Sequence, residues 1–219
     1  MARSPRSRPQ KKPPDRYHHG DLRRALLDEA IRTIQSHGVE HLTLRTAGER
    51  LGVSRTALYR HFSDKQALLA SVGREGFHML RQALADASEQ NGRGQTGFEA
   101  MAVAYVQFAV TYPSHYRVMF GRFLESVAKD TDFISEAKAA FQVLVNALVD
   151  QQKAGIVRQE DPELMARWVW AVVHGVAMLA IDGQLREVDK DGEVLTQYAI
   201  ERVRSAIAAF PPAPGTCQS

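Results

Sequence analysis

The chain contains a single cysteine, Cys217, which lies in a proline-rich C-terminal segment. One thiol excludes an internal disulfide and a metal site built from several cysteines, and it is typical of a protein of the reducing cytosol. The sequence also lacks a P-loop, a Gly-x-Ser-x-Gly nucleophile elbow and a catalytic Cys/His arrangement. We therefore expect a cytoplasmic protein that is not an enzyme and carries no cofactor.

Histidines offer only weak metal-binding patterns. His18 and His19 are adjacent, and His37 and His41 are four residues apart. Gly38 interrupts the helix that would align the second pair, and no cysteine or carboxylate cluster joins either pair. No metal site is predicted.

Positive charge is concentrated in the first third of the chain. Up to residue 70 there are fourteen Lys and Arg against seven Asp and Glu, whereas the remainder has fourteen against eighteen. This asymmetry indicates that a polyanionic partner meets only the front of the molecule. Residues 1–16 interleave basic residues with prolines, and no apolar run of a signal peptide follows. We expect a disordered basic arm there, which serves either as a solubilising tail or as a contact to DNA phosphates.

Apolar residues recur at helical spacing, and no alternating run long enough for a strand occurs. Leu22, Leu26, Ala30 and Ile34, for example, form one face of a helix that ends at Gly38. The fold class is predicted to be all-α with about nine helices. Their approximate ranges are 21–38, 43–51, 54–62, 63–88, 98–111, 114–127, 132–154, 162–182 and 192–209.

Residues 164–181 are nearly all apolar and just long enough to span a membrane. However, Arg167 and His174 lie inside this segment, and no Lys/Arg cluster flanks it to set an orientation. A helix buried between its own domain and a partner subunit explains the composition better, so no membrane partner is expected.

Residues 43–62, TLRTAGERLGVSRTALYRHF, contain two short helical patterns joined by a tight turn. Gly52 can adopt the left-handed conformation that such a turn needs, and Val53 fills the angle between the helices. Ser54 is placed to cap the second helix, as Thr43 caps the first. This arrangement is typical of a helix-turn-helix whose second helix enters the DNA major groove.

Candidate DNA contacts follow from positions on these two helices. The N-terminus of a helix carries partial positive charge, which suits phosphate, and its first turn meets base edges. Arg45 can reach a guanine edge or the backbone, and Lys65 can pair with a phosphate as a point charge. The predicted DNA-binding set is Thr43, Arg45, Thr46, Ser54, Arg55, Thr56, Ala57, Tyr59, His61 and Lys65.

This stretch, with YHHGDLRRALLDEA before it and SDKQALLASV after it, resembles the TetR/AcrR family of bacterial transcriptional regulators. Matching positions are Leu42, Thr43, Gly52, Val53, Ser54, Leu58, Tyr59, His61, Phe62, Lys65 and Leu68. One position departs: Gly48 stands where the family usually has Ala at the tight contact between helices. The resemblance implies a helix-turn-helix DNA-binding domain over residues 17–75, a ligand-binding and dimerisation domain over 76–210, and a flexible tail over 211–219.

The back half resembles a C-terminal subtype of the same family through YPSHYRVMF (112–120), AGIVRQEDPELMA (154–166) and a W…HG pattern ending at Gly175. The resemblance implies a homodimer through helices near 162–182 and 192–209. It also implies a pocket for an unidentified, mostly apolar or aromatic effector, although such an aromatic stripe is more often core packing. The candidate pocket residues are Phe77, Tyr105, Phe108, Phe120, Phe123, Phe141, Trp168 and His174. His174 could orient the ligand, but satisfying a buried carbonyl is the favoured role.

The function expected from these features is a ligand-responsive repressor that binds a palindromic operator on double-stranded DNA as a dimer. An activator or a ligand-independent DNA-binding protein remains the alternative. For that alternative, contacts from the basic arm and contacts to the DNA backbone matter more than base reading. A helical enzyme is disfavoured because no acid, base or nucleophile constellation is visible.

Overall fold

The computed structural model describes residues 22–92, 94–121, 130–185 and 192–208. Across these ranges it contains nine α-helices and no strand, so the all-α prediction is confirmed. The helices are α1 (Leu22–His37), α2 (Leu44–Arg50), α3 (Arg55–His61), α4 (Lys65–Gln90), α5 (Gln95–Thr111), α6 (Pro113–Phe120), α7 (Thr131–Lys153), α8 (Pro162–Ile181) and α9 (Glu193–Ile207). A short 3₁₀ turn, Val39–His41, connects α1 to α2.

The first three helices enclose a small apolar core. Leu26 and Ala30 on α1 are fully buried, and Leu58 on α3 is 2% exposed. The predicted four-residue spacing along α1 is therefore the face that packs inward. Leu42 and Phe62, which precede α2 and follow α3, close the same core.

Helix α4 connects the front of the molecule to its rear. It runs for 26 residues and packs against α1, α5, α6 and α7. Asp64 caps its N-terminus by accepting a hydrogen bond from the Ala67 amide, and the helix begins at Lys65, two residues after the predicted start. The expected domain boundary between residues 75 and 76 falls inside this continuous helix, so α4 belongs to both parts.

Two helix ends differ from the sequence prediction. Helix α5 begins at Gln95, earlier than the predicted 98. Helix α6 ends at Phe120 because Gly121 is extended, with φ −82° and ψ −177°. The rest of the helix predicted over 114–127 lies outside the described residues, as do Phe123, the basic arm over 1–16 and the tail over 211–219.

Helix α8 is the long apolar segment. By length and composition alone it could cross a membrane, a test that core helices of soluble proteins also pass. Its inward face includes Ala166, Val169 and Ala177, which pack against neighbouring helices of the same chain. Its outward face carries Leu164, Trp168 and Leu179, which are 68%, 46% and 42% exposed.

Candidate nucleic-acid interface and ligand cavity

The turn between α2 and α3 has the predicted geometry. Gly52 is left-handed, with φ +66°, and the Val53 amide donates to the Gly48 carbonyl oxygen at 3.0 Å. Leu58 packs against Gly48, because a Cβ atom at position 48 would lie 3.2 Å from Leu58 Cδ1. The two helices therefore approach each other closely, which fixes the angle at which α3 is presented.

Hydroxyl side chains cap both helices. Thr43 Oγ1 accepts from the Thr46 amide at 3.0 Å, and the Thr43 amide donates to Thr46 Oγ1 at 3.3 Å. Ser54 Oγ accepts from the Ala57 amide at 3.2 Å. These hydroxyl caps thus order the first turns of α2 and α3 in the absence of DNA.

Helix α3 presents a polar face to solvent. Arg55, Thr56 and His61 are exposed, and Tyr59 is 45% exposed, whereas Ala57 is half-buried. The Arg55 guanidinium carbon lies 5.6 Å from the centre of the Tyr59 ring, a cation–π arrangement that orients both side chains. The structure therefore brings the predicted α3 residues together on one accessible surface.

The Arg45 side chain is 85% exposed. Its Nε donates to Glu49 Oε1 at 2.8 Å one helical turn away, and this bond raises the pKa of the Arg45 guanidinium. Exposed pairs of this kind contribute little stability. Arg45 can consequently exchange Glu49 for a DNA group at low cost.

Lys65 has a different environment from the one that the sequence suggested. Its Nζ donates to the Val39 carbonyl oxygen at 2.8 Å and also contacts the Glu40 carbonyl oxygen at 3.4 Å. Burial lowers the Lys65 pKa, and nearby Glu40 opposes that shift. Lys65 thus ties the start of α4 to the turn after α1, a structural contact that sequence reasoning missed.

A buried carboxylate joins α1 to α2. Glu29 is 6% exposed and receives hydrogen bonds from Arg50 at 2.9 Å, from Arg32 at 2.8 Å and from Thr33 at 3.3 Å. Burial raises the Glu29 pKa, but the bonds from Arg50 and Arg32 outweigh it, and the net shift is downward. This network was not predicted from the sequence. Its signal would have been Glu29, a charged residue beside the apolar face of α1.

Behind α4 lies a cavity of about 840 Å³, lined by all the helices from α4 to α9. A volume of this size lies within the range of small-molecule sites. Four candidate pocket residues line it. These are Phe77, Tyr105, Phe120 and Phe141.

Three of the other candidate pocket residues do not line the cavity, and the fourth, Phe123, is outside the described residues. Phe108 and His174 do not line the cavity, and Trp168 is on the outward face of α8. Trp170 lines the cavity instead, because it shares a helical face with buried Val173 whereas Trp168 shares one with exposed Leu164.

His174 belongs to a hydrogen-bonded cluster at the wall of the cavity. Trp170 Nε1 donates to Tyr105 Oη at 2.9 Å, and Tyr116 Oη donates to Tyr105 Oη at 3.0 Å. His174 Nδ1 lies 3.1 Å from Tyr105 Oη and 2.7 Å from Tyr116 Oη. The imidazole thus satisfies buried phenols and not the buried carbonyl expected from the sequence.

Burial sets the protonation of this cluster. It lowers the pKa of His174, raises that of Tyr105 to about 12 and raises that of Tyr116 still further. All three groups are consequently neutral near pH 7, and we assign His174 Nδ1 as an acceptor of a phenol proton.

Helix α6 connects the cavity to the front of the molecule. Met119 and Phe120 line the cavity, and His115 on the same helix is 5% exposed. His115 Nε2 lies 3.3 Å from Glu75 Oε1 on α4, and Glu75 Oε2 accepts from Arg24 Nη1 on α1 at 2.5 Å. A continuous set of polar contacts thus runs from a cavity-lining helix to α1, which packs against α2.

Two family models match separate parts of the chain. Residues 26–72 match the model of bacterial regulatory proteins of the tetR family, and residues 98–203 match the tetracyclin repressor-like C-terminal domain. A protein of unknown function from Rhodococcus sp. RHA1 has a solved structure with a TM-score of 0.78 and 32% identity, and the alignment covers 88% of this chain and 98% of that one. A tetR-family regulatory protein from Rhodococcus RHA1 shares the fold, with a TM-score of 0.69 at 18% identity over 86% of this chain and 98% of its own.

Curated relatives carry regulatory names. The uncharacterized HTH-type transcriptional regulator YobS of Bacillus subtilis is 26% identical over 160 residues, which are 73% of this chain and 79% of that protein. Named repressors match over shorter segments. The tetracycline repressor protein class C of Escherichia coli is 47% identical over 50 residues, 23% of each chain. The helix-turn-helix, the C-terminal domain and these relatives together show that the chain belongs to the TetR family of bacterial transcriptional regulators.

Proposed function

We propose that this regulator is a cytoplasmic repressor that binds a palindromic operator as a homodimer and is released when a small molecule enters the cavity. The observation that carries the proposal is the 840 Å³ cavity, which shares α4 and α6 with the polar contacts that reach α1, and α1 packs against α2 of the helix-turn-helix. A cavity unconnected to the DNA-binding helices would give a ligand no means of changing DNA affinity.

The DNA-reading surface is the exposed face of α3 together with Arg45. Arg55 and Thr56 occupy the first turn of α3, where side chains of a recognition helix meet base edges. Ser54 and Thr43 lie at helix N-termini, which attract phosphate. We assign base contacts to Arg55 and Arg45, and phosphate contacts to Tyr59 and His61.

Dimerisation is proposed through the outward faces of α8 and α9. Leu164, Trp168 and Leu179 form an exposed apolar stripe on α8, and Val194 and Tyr198 extend it on α9 with exposures of 65% and 58%. Large exposed apolar stripes mark interaction surfaces. A single recognition helix covers only a few base pairs, so a two-fold dimer is needed to read two half-sites about 34 to 36 Å apart.

Release requires that the ligand bind one arrangement of the dimer better than the other, because the change in DNA affinity cannot exceed that difference. His115 offers a route for this change. A ligand that displaces Met119 would move α6, and the His115–Glu75–Arg24 contacts would pass the shift to α1.

Selection of DNA from a random pool by the purified full-length chain tests the proposal. The expected product is an inverted repeat with half-sites about one helical turn apart. A duplex carrying that repeat, placed across a promoter, should lower transcript yield in a purified transcription reaction. Scrambling one half-site is the matched control, and it should restore transcription.

Three results would count against the proposal. Enrichment of no common site would refute sequence-specific binding, and a single half-site would refute the symmetric dimer. Increased transcript from the same template would identify an activator.

A further inference from the structure

The cavity has an apolar interior and a charged opening. Lining residues next to α6, such as Phe77, Met119 and Phe133, are at most 6% exposed. Arg167 and Arg204 also line it, yet their side chains are 62% and 54% exposed, so these residues mark where the cavity reaches solvent. The opening therefore lies at the charged residues and the closed end lies beside α6.

Positive charge dominates this opening. Among the described lining residues the cations are Lys138, Arg167 and Arg204, and the only acid is Glu99. Glu99 lies 3.4 Å from Arg204 Nη1 and is less exposed than Glu163, so Arg204 is the cation that already has an acid within the lining. Lys138 and Arg167 remain, and they make the net charge of the opening positive.

Lys138 and Arg167 flank the same aromatic ring. The Arg167 guanidinium carbon lies 5.4 Å from the centre of the Phe141 ring, and Lys138 is one helical turn before Phe141 on α7. Arg167 also contacts Glu163 at 3.5 Å, but both side chains are more than 60% exposed, and such a pair exchanges partners at little cost. An anionic group above Phe141 could contact both cations.

The polar cluster at the wall of the cavity does not offer a second binding site for such an anionic group. Trp170 donates to Tyr105, Tyr116 donates to Tyr105, and the Tyr105 proton is directed to His174 Nδ1. The indole and phenol donors are thus used within the cluster, and His174, whose remaining N–H is on Nε2, does not line the cavity. A ligand must find its polar contacts at the opening, while its interior portion meets apolar side chains.

The cavity is also elongated. On α5 its lining extends from Gln95 to Tyr105, which at 1.5 Å per residue is about 15 Å along the helix axis. From these observations we propose that the effector is an elongated apolar molecule with one carboxylate, held by Lys138 and Arg167 at the opening and with its apolar end toward α6. This inference rests on the proposed ligand-responsive function and names the chemical class of the ligand.

Calorimetric titration of the full-length chain, in the absence of DNA, tests the proposal with three probes. Dodecanoate should bind about five- to tenfold more tightly than 1-dodecanol, the gain expected from two partly exposed charge contacts. Butyrate should bind more than a hundredfold more weakly than dodecanoate, because each buried methylene contributes roughly fourfold.

Two substitutions identify the carboxylate site. Lys138→Gln combined with Arg167→Gln should remove the preference for dodecanoate over 1-dodecanol and leave the affinity for 1-dodecanol unchanged. Lys153→Gln is the matched control, because Lys153 is an exposed lysine on the same helix and does not line the cavity. It should keep the preference for dodecanoate.

Equal binding of the acid and the alcohol by the original chain would overturn the proposal, as would binding of neither. Equal losses for both probes in the double variant would overturn the assignment of the two cations.

The DNA-selection experiment separates failure of this ligand proposal from failure of the proposed repressor function. A palindrome found without dodecanoate binding would leave the proposed repressor intact and reject this ligand class. Dodecanoate binding without a DNA site would reject the repressor and retain the ligand site.

Discussion

Arg50 Nη1 on α2 lies 2.9 Å from Glu29 Oε1 on α1, and this contact supplies a cation to a carboxylate that is 6% exposed. A buried carboxylate is costly unless it is paired. The contact therefore fixes α2 against α1, and through the tight α2–α3 turn it fixes the direction in which α3 projects.

Replacing Arg50 should destabilise the protein. Arg50→Gln leaves Glu29 with Arg32 and Thr33 only, and we expect the free energy of unfolding to fall by about 1 to 2 kcal/mol. Urea denaturation followed by circular dichroism measures the change. Arg45→Gln is the control, because its partner Glu49 is exposed, and it should leave the denaturation midpoint unchanged. Equal midpoints for Arg50→Gln and the original chain would contradict the role given to this contact.

The same network makes stability depend on pH in a defined direction. The Glu29 pKa is lowered from 4.5 in the folded chain, so the unfolded state binds the proton more readily. Stability from this group is full above the unfolded pKa and is lost as the pH falls through the folded pKa. Urea midpoints between about pH 3 and pH 6 should therefore fall less steeply for Glu29→Gln than for the original chain. Parallel curves would exclude Glu29 as the source.

Lys65 and Arg55 should separate folding from DNA reading. Lys65→Ala removes hydrogen bonds to the Val39 and Glu40 carbonyl groups and should lower the melting temperature. Arg55→Ala should leave the melting temperature unchanged and cost about 1 to 3 kcal/mol in binding to the selected operator. Fluorescence anisotropy on operator and random duplexes measures the second effect. Equal losses on both duplexes would refute a base-reading role for Arg55.

Gly48 in α2 and Gly52 in the turn after it should respond to alanine in opposite ways. Gly48→Ala improves helix propensity by about 1 kcal/mol, and its Cβ is close to the flexible end of Leu58, at 3.2 Å, with Val53 Cγ2 at an ordinary 3.6 Å. We expect a net gain of about 0.5 kcal/mol in the free energy of unfolding after Leu58 adjusts. Gly52→Ala meets no atom within 4 Å but must hold φ near +66°, and it should lose about 1 kcal/mol. Thermal melts compare the two, and a loss in Gly48→Ala would show that Leu58 cannot move.

The sequence predicted elements whose signals are local. The Thr43 and Ser54 caps and the left-handed Gly52 follow from short-range hydrogen bonding and sterics, and the structure has them as predicted. Long-range contacts were not predictable in this way. The Lys65 bonds to carbonyls some 25 residues away, and the position of Trp170 instead of Trp168 at the cavity, depend on how helices pack against one another. Periodicity specifies that a helix has an inner face, whereas packing decides which neighbour that face meets.

The outward face of α8 gives the last prediction, which concerns the dimer. Leu164 is 68% exposed and Trp168 is 46% exposed, so changing their side chains should disturb the monomer little. Leu164→Glu combined with Trp168→Glu places two carboxylates on each copy of the proposed apolar interface. Because a two-fold axis brings the same surface of both copies together, the charges face one another and are desolvated, and the dimer should dissociate.

Sedimentation velocity at micromolar concentration should then show a dimer for the original chain and a monomer for the double variant. Circular dichroism should show unchanged helicity, and affinity for the palindrome should fall while binding to random DNA persists. Leu164→Met keeps the face apolar and should remain dimeric. A double variant that sediments as a dimer would place the interface elsewhere. Four buried, unpaired carboxylates in an apolar two-fold contact would cause a large loss of dimer affinity.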